Sequence, residues 1–155
     1  MTWQLVEGGL DDPKVVALIE HHVRTAAAQT VPGSAHAMAA AALDRPDIQF
    51  WSLWDGDDLV AVGALRRLSD SHGEIKSMHV AEARRGQGAG GVMLDTIIAA
   101  ARAAGLDRLS LETGSWDFFL PAHALYRRYG FTECAAFEGY KPDPNSLFFT
   151  RTLKA

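Results

Sequence analysis

A glycine-rich segment from Arg84 to Gly91 separates a strand-like stretch from the most regular helical pattern of the chain. That helical pattern runs from Gly90 to Ala104, and Gly105 is suited to end it. The first amides of such a helix lack partners within the helix, and the helix dipole places partial positive charge there. Glycines let a ligand approach the main chain, and Arg85 adds a full positive charge. The segment therefore indicates an anion-binding turn, for which a pyrophosphate is the natural ligand.

Composition and charge limit the classes of function. The chain has 155 residues, of which 48% are hydrophobic and 22% charged, so we expect a single domain over residues 1–155. A formal charge of -4 argues against a nucleic-acid ligand and favours a cationic substrate. Cys134 is the only cysteine, so no internal disulfide can form and a reducing compartment is expected. Without a basic leader or a long apolar run, we expect a cytoplasmic protein that does not contact a membrane.

The remaining hydrophobic patterns predict alternating helices and strands. Helices are predicted over 13–28, 35–43, 90–104 and 121–129. Strands are predicted over 3–6, 48–54, 59–66, 74–80, 108–113, 131–137 and 146–153. An antiparallel meander followed by helical crossovers indicates an α/β fold, α+β by some conventions, with a mixed sheet and helices on both faces. Alternation along 74–80 places Glu74, Lys76 and Met78 on one face of the sheet.

Three segments, in this order along the chain, resemble the GNAT family of N-acetyltransferases. The stretch 74–80 is similar to the central strand of that family, Arg85-x-x-Gly88-x-Gly90 to its acetyl-CoA signature, and 124–131 to a helix near its end. The resemblance spans nearly the whole chain. It implies a mixed, largely antiparallel sheet and an enzyme that moves an acetyl group from acetyl-CoA to the amine of a small molecule or peptide, by direct attack in a ternary complex. A bacterial subgroup of uncertain acceptor specificity looks closest, and paired subunits are common in this fold, so a homodimer is an open expectation.

The resemblance also implies which residues bind the co-substrate. In the family the central strand diverges from the next strand, main-chain groups there pair with the pantetheine arm, and the pyrophosphate lies on the glycine-rich turn. The matching positions in this chain are Met78, His79, Val80, Arg85, Gly86, Gln87, Gly88, Ala89, Gly90 and Gly91. An amide near Met78 or His79 is expected to stabilise the developing oxyanion, and no metal is implied.

Two residues are implied as proton carriers. Glu74 matches a position that serves some members as general base, usually through water, and Tyr126 matches a tyrosine that protonates the leaving sulfur. Structural roles remain open for both, a solvated strand-end carboxylate for Glu74 and a core aromatic for Tyr126. His79 or a water chain is an alternative base. The chain departs from many relatives at Phe119, where they have an asparagine that contacts the cofactor.

The acceptor is expected to lie near the first helix-helix connection and the last strands. Candidate contacts are Ser34, His36, Trp51 and Tyr140. Each has a structural alternative, because Ser34 is suited to cap a helix, Trp51 to fill the sheet core and Tyr140 to anchor a loop. Cys134 is poorly placed for a covalent acyl-enzyme.

Two other functions compete with this one. Gly86-x-Gly88-x-x-Gly91 matches a dinucleotide-binding fingerprint, with Glu112 about twenty residues further on as the ribose ligand. That fingerprint begins directly after a buried apolar strand, whereas here polar or small residues intervene and the preceding strand is polar. The other competitor is a non-catalytic acyl-CoA sensor or partner-binding module with the same fold.

Overall fold

The computed structural model describes residues 2–28 and 40–153. Within these residues the α-helices are α1 (Pro13–Ala28), α2 (Ala89–Ala103) and α3 (Leu120–Arg128). The strands are β1 (Gln4–Glu7), β2 (Ile48–Asp55), β3 (Asp58–Arg67), β4 (His72–Val80), β5 (Arg108–Gly114), β6 (Thr132–Cys134) and β7 (Ser146–Thr152). Short 3₁₀ turns cover Ala40–Leu43, Glu82–Arg84 and Asp117–Phe119. No helix in these two ranges is both long and apolar enough to span a membrane.

The strands form one mixed sheet in the order β1-β2-β3-β4-β5-β7-β6. Short turns join β2, β3 and β4, which therefore pair antiparallel. The connection from β4 to β5 passes through α2, and such a helical crossover makes these two strands parallel. All other pairings are antiparallel. The prediction of a mixed, largely antiparallel sheet is confirmed.

Helices cover both faces of the sheet. Met93 of α2 and Tyr126 of α3 enter one hydrophobic core together with Ala61 of β3. Ile19 of α1 packs in a second core with Val62, the next residue of β3. Successive residues of a strand point to opposite faces, so α1 lies on the face opposite α2.

A β-bulge interrupts β4 at Ser77. The register with β3 pairs Val62 with His79 but Ala64 with Lys76, so β4 has one extra residue in this interval. Ser77 has φ 53°, in the left-handed region that side-chain-bearing residues rarely adopt.

The bulge changes which side chains share a face. Lys76 lies opposite a residue of the α1-side core, whereas Met78 packs against the α2-side core. The prediction that Glu74, Lys76 and Met78 share one face is therefore wrong for Met78, because strict alternation does not allow for an extra residue.

β4 and β5 diverge beyond Glu74. Their pairs run from His72 with Arg108 to Glu74 with Ser110, although β4 continues to Val80 and β5 to Gly114. The unpaired ends border a gap near the middle of the sheet, and this gap positions the site.

Two predicted elements differ from the structure in type or by more than two residues. Only the end of the predicted helix 35–43 is described, and it is the 3₁₀ turn Ala40–Leu43. β6 ends at Cys134 rather than at residue 137. The ring of Phe137 packs against Tyr140 and Phe148, and Glu138 takes a positive φ of 41°, so this segment turns instead of extending the sheet.

Candidate active site

A cleft of about 540 Å³ occupies the gap between β4 and β5. Its wall is formed by the diverging strands, the start of α2, and α3 with the turn before it. Most of the residues predicted for the site line it together: Glu74, Met78, His79, Val80, Arg85, Gly86, Gly88, Ala89, Gly90, Gly91, Tyr126 and Tyr140. The fold thus brings segments from β4, α2, α3 and the β6–β7 loop to one place.

The glycine-rich turn opens onto this cleft. Gly88 precedes α2 with φ 89°, and no side chain caps the amides of the first turn. A Cβ added at Gly86 or Gly88 would meet no atom within 4 Å, so a ligand can reach the main chain here. The turn therefore fits the pyrophosphate of coenzyme A in charge, donors and access.

The next two glycines have a different role. A Cβ at Gly90 would lie 2.8 Å from Cδ2 of Leu125, and one at Gly91 would lie 2.5 Å from the hydroxyl oxygen of Tyr129. Both distances are too short for a real side chain, so these glycines let α2 approach α3 closely.

The two neighbouring arginines of the turn, Arg84 and Arg85, have different surroundings. Arg84 forms salt bridges of 2.8 Å with Asp55 and 2.9 Å with Asp58, which tie the turn to the β2–β3 hairpin. Arg85 lines the cleft instead. Arg85 is therefore the arginine that can meet an anionic ligand.

Tyr126 is held in the cleft wall by α3. One turn earlier, His123 is 2% exposed, and its Nε2 donates a hydrogen bond of 2.7 Å to the carbonyl oxygen of Gly114 at the end of β5. Tyr126 itself is 7% exposed and packs against Phe131 and Phe149. Burial, and then the negative charge of Glu112, raises the pKa of Tyr126 to about 12. The phenol therefore keeps its proton at neutral pH.

Glu74 borders the cleft but is only 1% exposed. The hydroxyl of Tyr140 donates to its Oε2 at 2.7 Å, and Nζ of Lys76 donates to the same hydroxyl at 2.9 Å. Lys76 and Arg66 also lie 3.6 Å and 3.9 Å from the carboxylate oxygens. The solvated strand-end role left open for Glu74 is therefore excluded, because this carboxylate is buried within a charged network.

Sequence reasoning assigned no role in acetyl transfer to Glu112. This residue lies in β5, lines the cleft and accepts a hydrogen bond of 2.7 Å from Ser146. Its charge contributes to the raised pKa of Tyr126 and of Tyr140, after burial in each case. The sequence feature that indicates a site residue at Glu112 is its position near the carboxyl end of a strand that follows a helical crossover.

His22 was also missed. It lies in α1, lines the cleft, and its ring centroid is 4.6 Å from that of His79. Burial, followed by the nearby charges of His21 and Arg85, lowers the pKa of His22 to about 4. His79 has its pKa lowered to about 3 by burial and then by His22 and Arg85. No periodic pattern in the sequence links α1 to β4.

Several predicted contacts fall elsewhere. Trp51 is 5% exposed in the α2-side core and does not line the cleft, so its candidate role in acceptor binding is replaced by a packing role. Gln87 is exposed and lies outside the cleft wall. Ser34 and His36 are outside the described residues.

Phe119 lines the cleft and also packs within the fold. Its ring packs directly on Gly114, where an added Cβ would overlap it.

Residues 2–28 and 40–153 contain no group of three or more His, Cys, Asp or Glu side chains arranged to hold a metal ion.

Comparison with known proteins identifies the family. Residues 15–131 match the family described as "Acetyltransferase (GNAT) family". The chain belongs to the GNAT family. The GNAT proteins it resembles include the uncharacterized N-acetyltransferase YsnE of Bacillus subtilis, which is 43% identical over 90% of this chain and 93% of its own length. The uncharacterized N-acetyltransferase YedL of Escherichia coli is 40% identical over 93% and 91% of the two chains.

A solved structure supports the same assignment. A Klebsiella pneumoniae protein named as an acyl-CoA N-acyltransferase has a TM-score of 0.80 with this chain, at 27% identity over 99% of each chain. The predictions of a GNAT fold and of an N-acetyltransferase are confirmed. GNAT proteins use acetyl-CoA or another acyl-CoA, and the turn before α2 offers the donors that such a ligand requires.

Proposed function

We propose that this GNAT protein transfers the acetyl group of acetyl-CoA to the amine of a small molecule or peptide. The observation that carries the proposal is the uncapped turn before α2, which opens into a cleft between two diverging strands. Gly86, Gly88 and Arg85 would hold the pyrophosphate there. The unpaired main chain of β4 around Met78 and Val80 would hold the pantetheine arm.

Acetyl-CoA supplies an acetyl group that is activated as a thioester. The chain must then remove a proton from the acceptor ammonium, stabilise an oxyanion and return a proton to the leaving sulfur. Glu74 with Tyr140 is the proposed base system, reached through water because the carboxylate is buried. The amide near Met78 or His79 is the proposed oxyanion donor. Tyr126 is the proposed acid, since it lines the cleft and its phenol carries a proton at neutral pH.

Direct attack in a ternary complex suits this cleft better than a covalent acyl-enzyme. Cys134 does not line the cleft, and burial raises the pKa of its thiol, which disfavours the nucleophilic thiolate. The acceptor and the co-substrate would therefore bind at the same time, from opposite sides of the thioester.

The test is a titration of acetyl-CoA monitored by thermal shift and by calorimetry, followed by a thiol-release screen over amines, amino acids and peptides. We expect a saturable rise in melting temperature and release of CoA with at least one acceptor. Absence of acetyl-CoA binding would overturn the proposal. Binding without CoA release over the whole panel would favour a non-catalytic acyl-CoA sensor.

A further inference from the structure

Two polar side-chain atoms in the cleft wall lack a partner. Oγ of Ser77 and Nε2 of His79 are buried, and neither forms a hydrogen bond with any described residue. Both residues nevertheless line the cleft. A buried polar atom left unsatisfied destabilises the folded state, so folded proteins rarely retain one without a ligand or water to satisfy it.

The backbone at Ser77 supports the same interpretation. Ser77 lies at the β-bulge with φ 53°, a strained conformation for a residue that is not glycine. Strain of this kind is concentrated at active sites and ligand-binding sites. Here it accompanies a hydroxyl that has no partner within the protein.

The imidazole of His79 lies on the α1 side of the sheet. His79 pairs across the sheet with Val62, which belongs to the core beneath α1, and its ring contacts His22 of α1. The glycine turn lies at the start of α2, on the other face of the sheet. We assign a ligand group that reaches His79 from the α1 side to the acceptor, and Arg85, which acts on the pKa of His79, is then shared between this group and the pyrophosphate turn.

The charged groups near His22 and His79, at one end of the cleft, differ from those near Tyr126 and Tyr140, at the other end. The neighbours that act on the imidazoles of His22 and His79 are Arg85 and the adjacent histidines, and all of them lower the two pKa values, after burial. At the other end, Glu112 raises the pKa of Tyr126 and, with Glu74, that of Tyr140. The first end carries the positive charge of Arg85, and the second carries the carboxylates of Glu74 and Glu112 together with the cations Lys76 and Arg66, which lie beside Glu74.

We propose that Ser77 and His79 bind the carboxylate of an acceptor that carries both an amine and a carboxylate. The ammonium group of this acceptor would lie toward Glu74 and Glu112, and its carboxylate would accept hydrogen bonds from the Ser77 hydroxyl and from Nε2–H of His79. A hydroxyl and a neutral imidazole suit a singly charged carboxylate better than a phosphate dianion, which needs more directly paired cations. The inference deepens the proposed acetyl transfer and names its acceptor class as amino acids.

Matched ligand pairs test the acceptor class without requiring turnover. L-phenylalanine, L-leucine, L-glutamate and L-lysine, each with its decarboxylated amine, would be titrated calorimetrically into the protein with and without CoA. We expect at least one amino acid to bind ten-fold or more tightly than its amine. Equal binding within every pair, no binding by any pair, or tighter binding of phosphoethanolamine than of all four amino acids would overturn the inference.

Two variants assign that preference to the named side chains. Ser77→Gly removes the hydroxyl and relieves the positive φ, so it should fold at least as well as the original chain. His79→Leu removes the imidazole, and His72→Leu is its control at the start of the same strand and outside the cleft. We expect Ser77→Gly and His79→Leu each to reduce the amino-acid preference, the ratio of the two affinities within a ligand pair, at least five-fold.

The two proposals fail separately. Retention of the full preference in Ser77→Gly and His79→Leu, or an equal loss in His72→Leu, would refute the carboxylate site and leave acetyl transfer intact. Failure of acetyl-CoA to bind would refute acetyl transfer, whereas the pairwise titrations without CoA would still report on the carboxylate site.

Discussion

The hydroxyl of Tyr140 lies 2.7 Å from Oε2 of Glu74, to which it donates a hydrogen bond. The two residues are 66 positions apart in sequence, and their contact closes the β6–β7 loop over the buried carboxylate. Packing of the Tyr140 ring against Phe137 and Phe148 holds the hydroxyl in this position. An apolar cluster thus fixes a polar contact at the edge of the cleft.

Replacement of Tyr140 by phenylalanine tests this contact. The ring packing is kept, but Glu74 and Lys76 each lose a hydrogen-bond partner. We expect the free energy of unfolding to fall by about 1–2 kcal/mol in urea titrations. If Glu74 belongs to the base system, acetyl transfer should slow at least about ten-fold, toward the range of lost general-base catalysis, with little change in acetyl-CoA affinity.

A double-mutant cycle supplies the control for that experiment. In a Glu74→Gln background the carboxylate is already absent, so Tyr140→Phe should have a smaller effect on both stability and rate. Additive effects would show that the two side chains act independently, contrary to the contact in the structure.

The glycine turn and the approximate positions of most helices and strands could be predicted because their signals are local. Apolar spacing at three to four residues defines α2, and the glycines before that helix indicate a turn whose main chain a ligand can approach. The Ser77 bulge has no such signal. Gly63 of β3 lies opposite the bulge, and a Cβ at Gly63 would lie 2.7 Å from Cγ of Met93 in α2. The bulge therefore lies where β3, β4 and α2 pack closely, and this packing is not visible in the local sequence.

Contacts between segments that are distant in sequence could not be predicted from the sequence pattern either. The meeting of His22 with His79 joins α1 to β4, and the role of Glu112 depends on where β5 diverges from β4. Trp51 was a candidate acceptor contact in the sequence, but its side chain packs in the core. An aromatic residue on a central strand can face either the cleft or the core, and only the packing of the whole fold decides between them.

Tyr126→Phe should separate catalysis from binding. The ring is buried against Phe131 and Phe149, so the variant should keep the fold and the affinity for acetyl-CoA. Loss of a general acid typically lowers turnover about 100-fold or more. Tyr129→Phe, three residues further along, is the matched control and should retain turnover. Steady-state kinetics and calorimetry measure the two effects, and unaltered turnover in Tyr126→Phe would remove this phenol from the mechanism.

Gly88→Asp should abolish binding of acetyl-CoA. The added carboxylate would lie beside the pyrophosphate and repel it, and we expect a loss of affinity of about 100-fold or more, equivalent to about 2.8 kcal/mol. The control is Gly88→Asn, which has a similar size, tolerates the left-handed conformation at φ 89° and carries no charge. Calorimetry should show a much smaller loss for asparagine. Equal losses in the two variants would attribute the effect to the backbone, and undiminished binding in both would place the ligand elsewhere.

Stability should fall as the pH is lowered below about 6.5. The folded protein has lowered pKa values for His22, about 4, and His79, about 3, whereas both return to about 6.5 on unfolding. Between these values the unfolded chain binds more protons, so acid favours unfolding. Burial also lowers the pKa of His72, which acts in the same direction.

The size of this effect can be measured by urea unfolding at pH 7.5 and pH 5.0. Each of the two cleft histidines should contribute up to about 2 kcal/mol of destabilisation at pH 5.0, because the shift of its pKa is only partly expressed there. His79→Leu should flatten the dependence, since it removes one titrating group and one neighbour of His22. A saturating carboxylate ligand should flatten it as well, because an anion beside these imidazoles would raise their pKa values toward that of the unfolded chain. Equal stability of the original chain at the two pH values would show that these histidines are not desolvated as the structure places them.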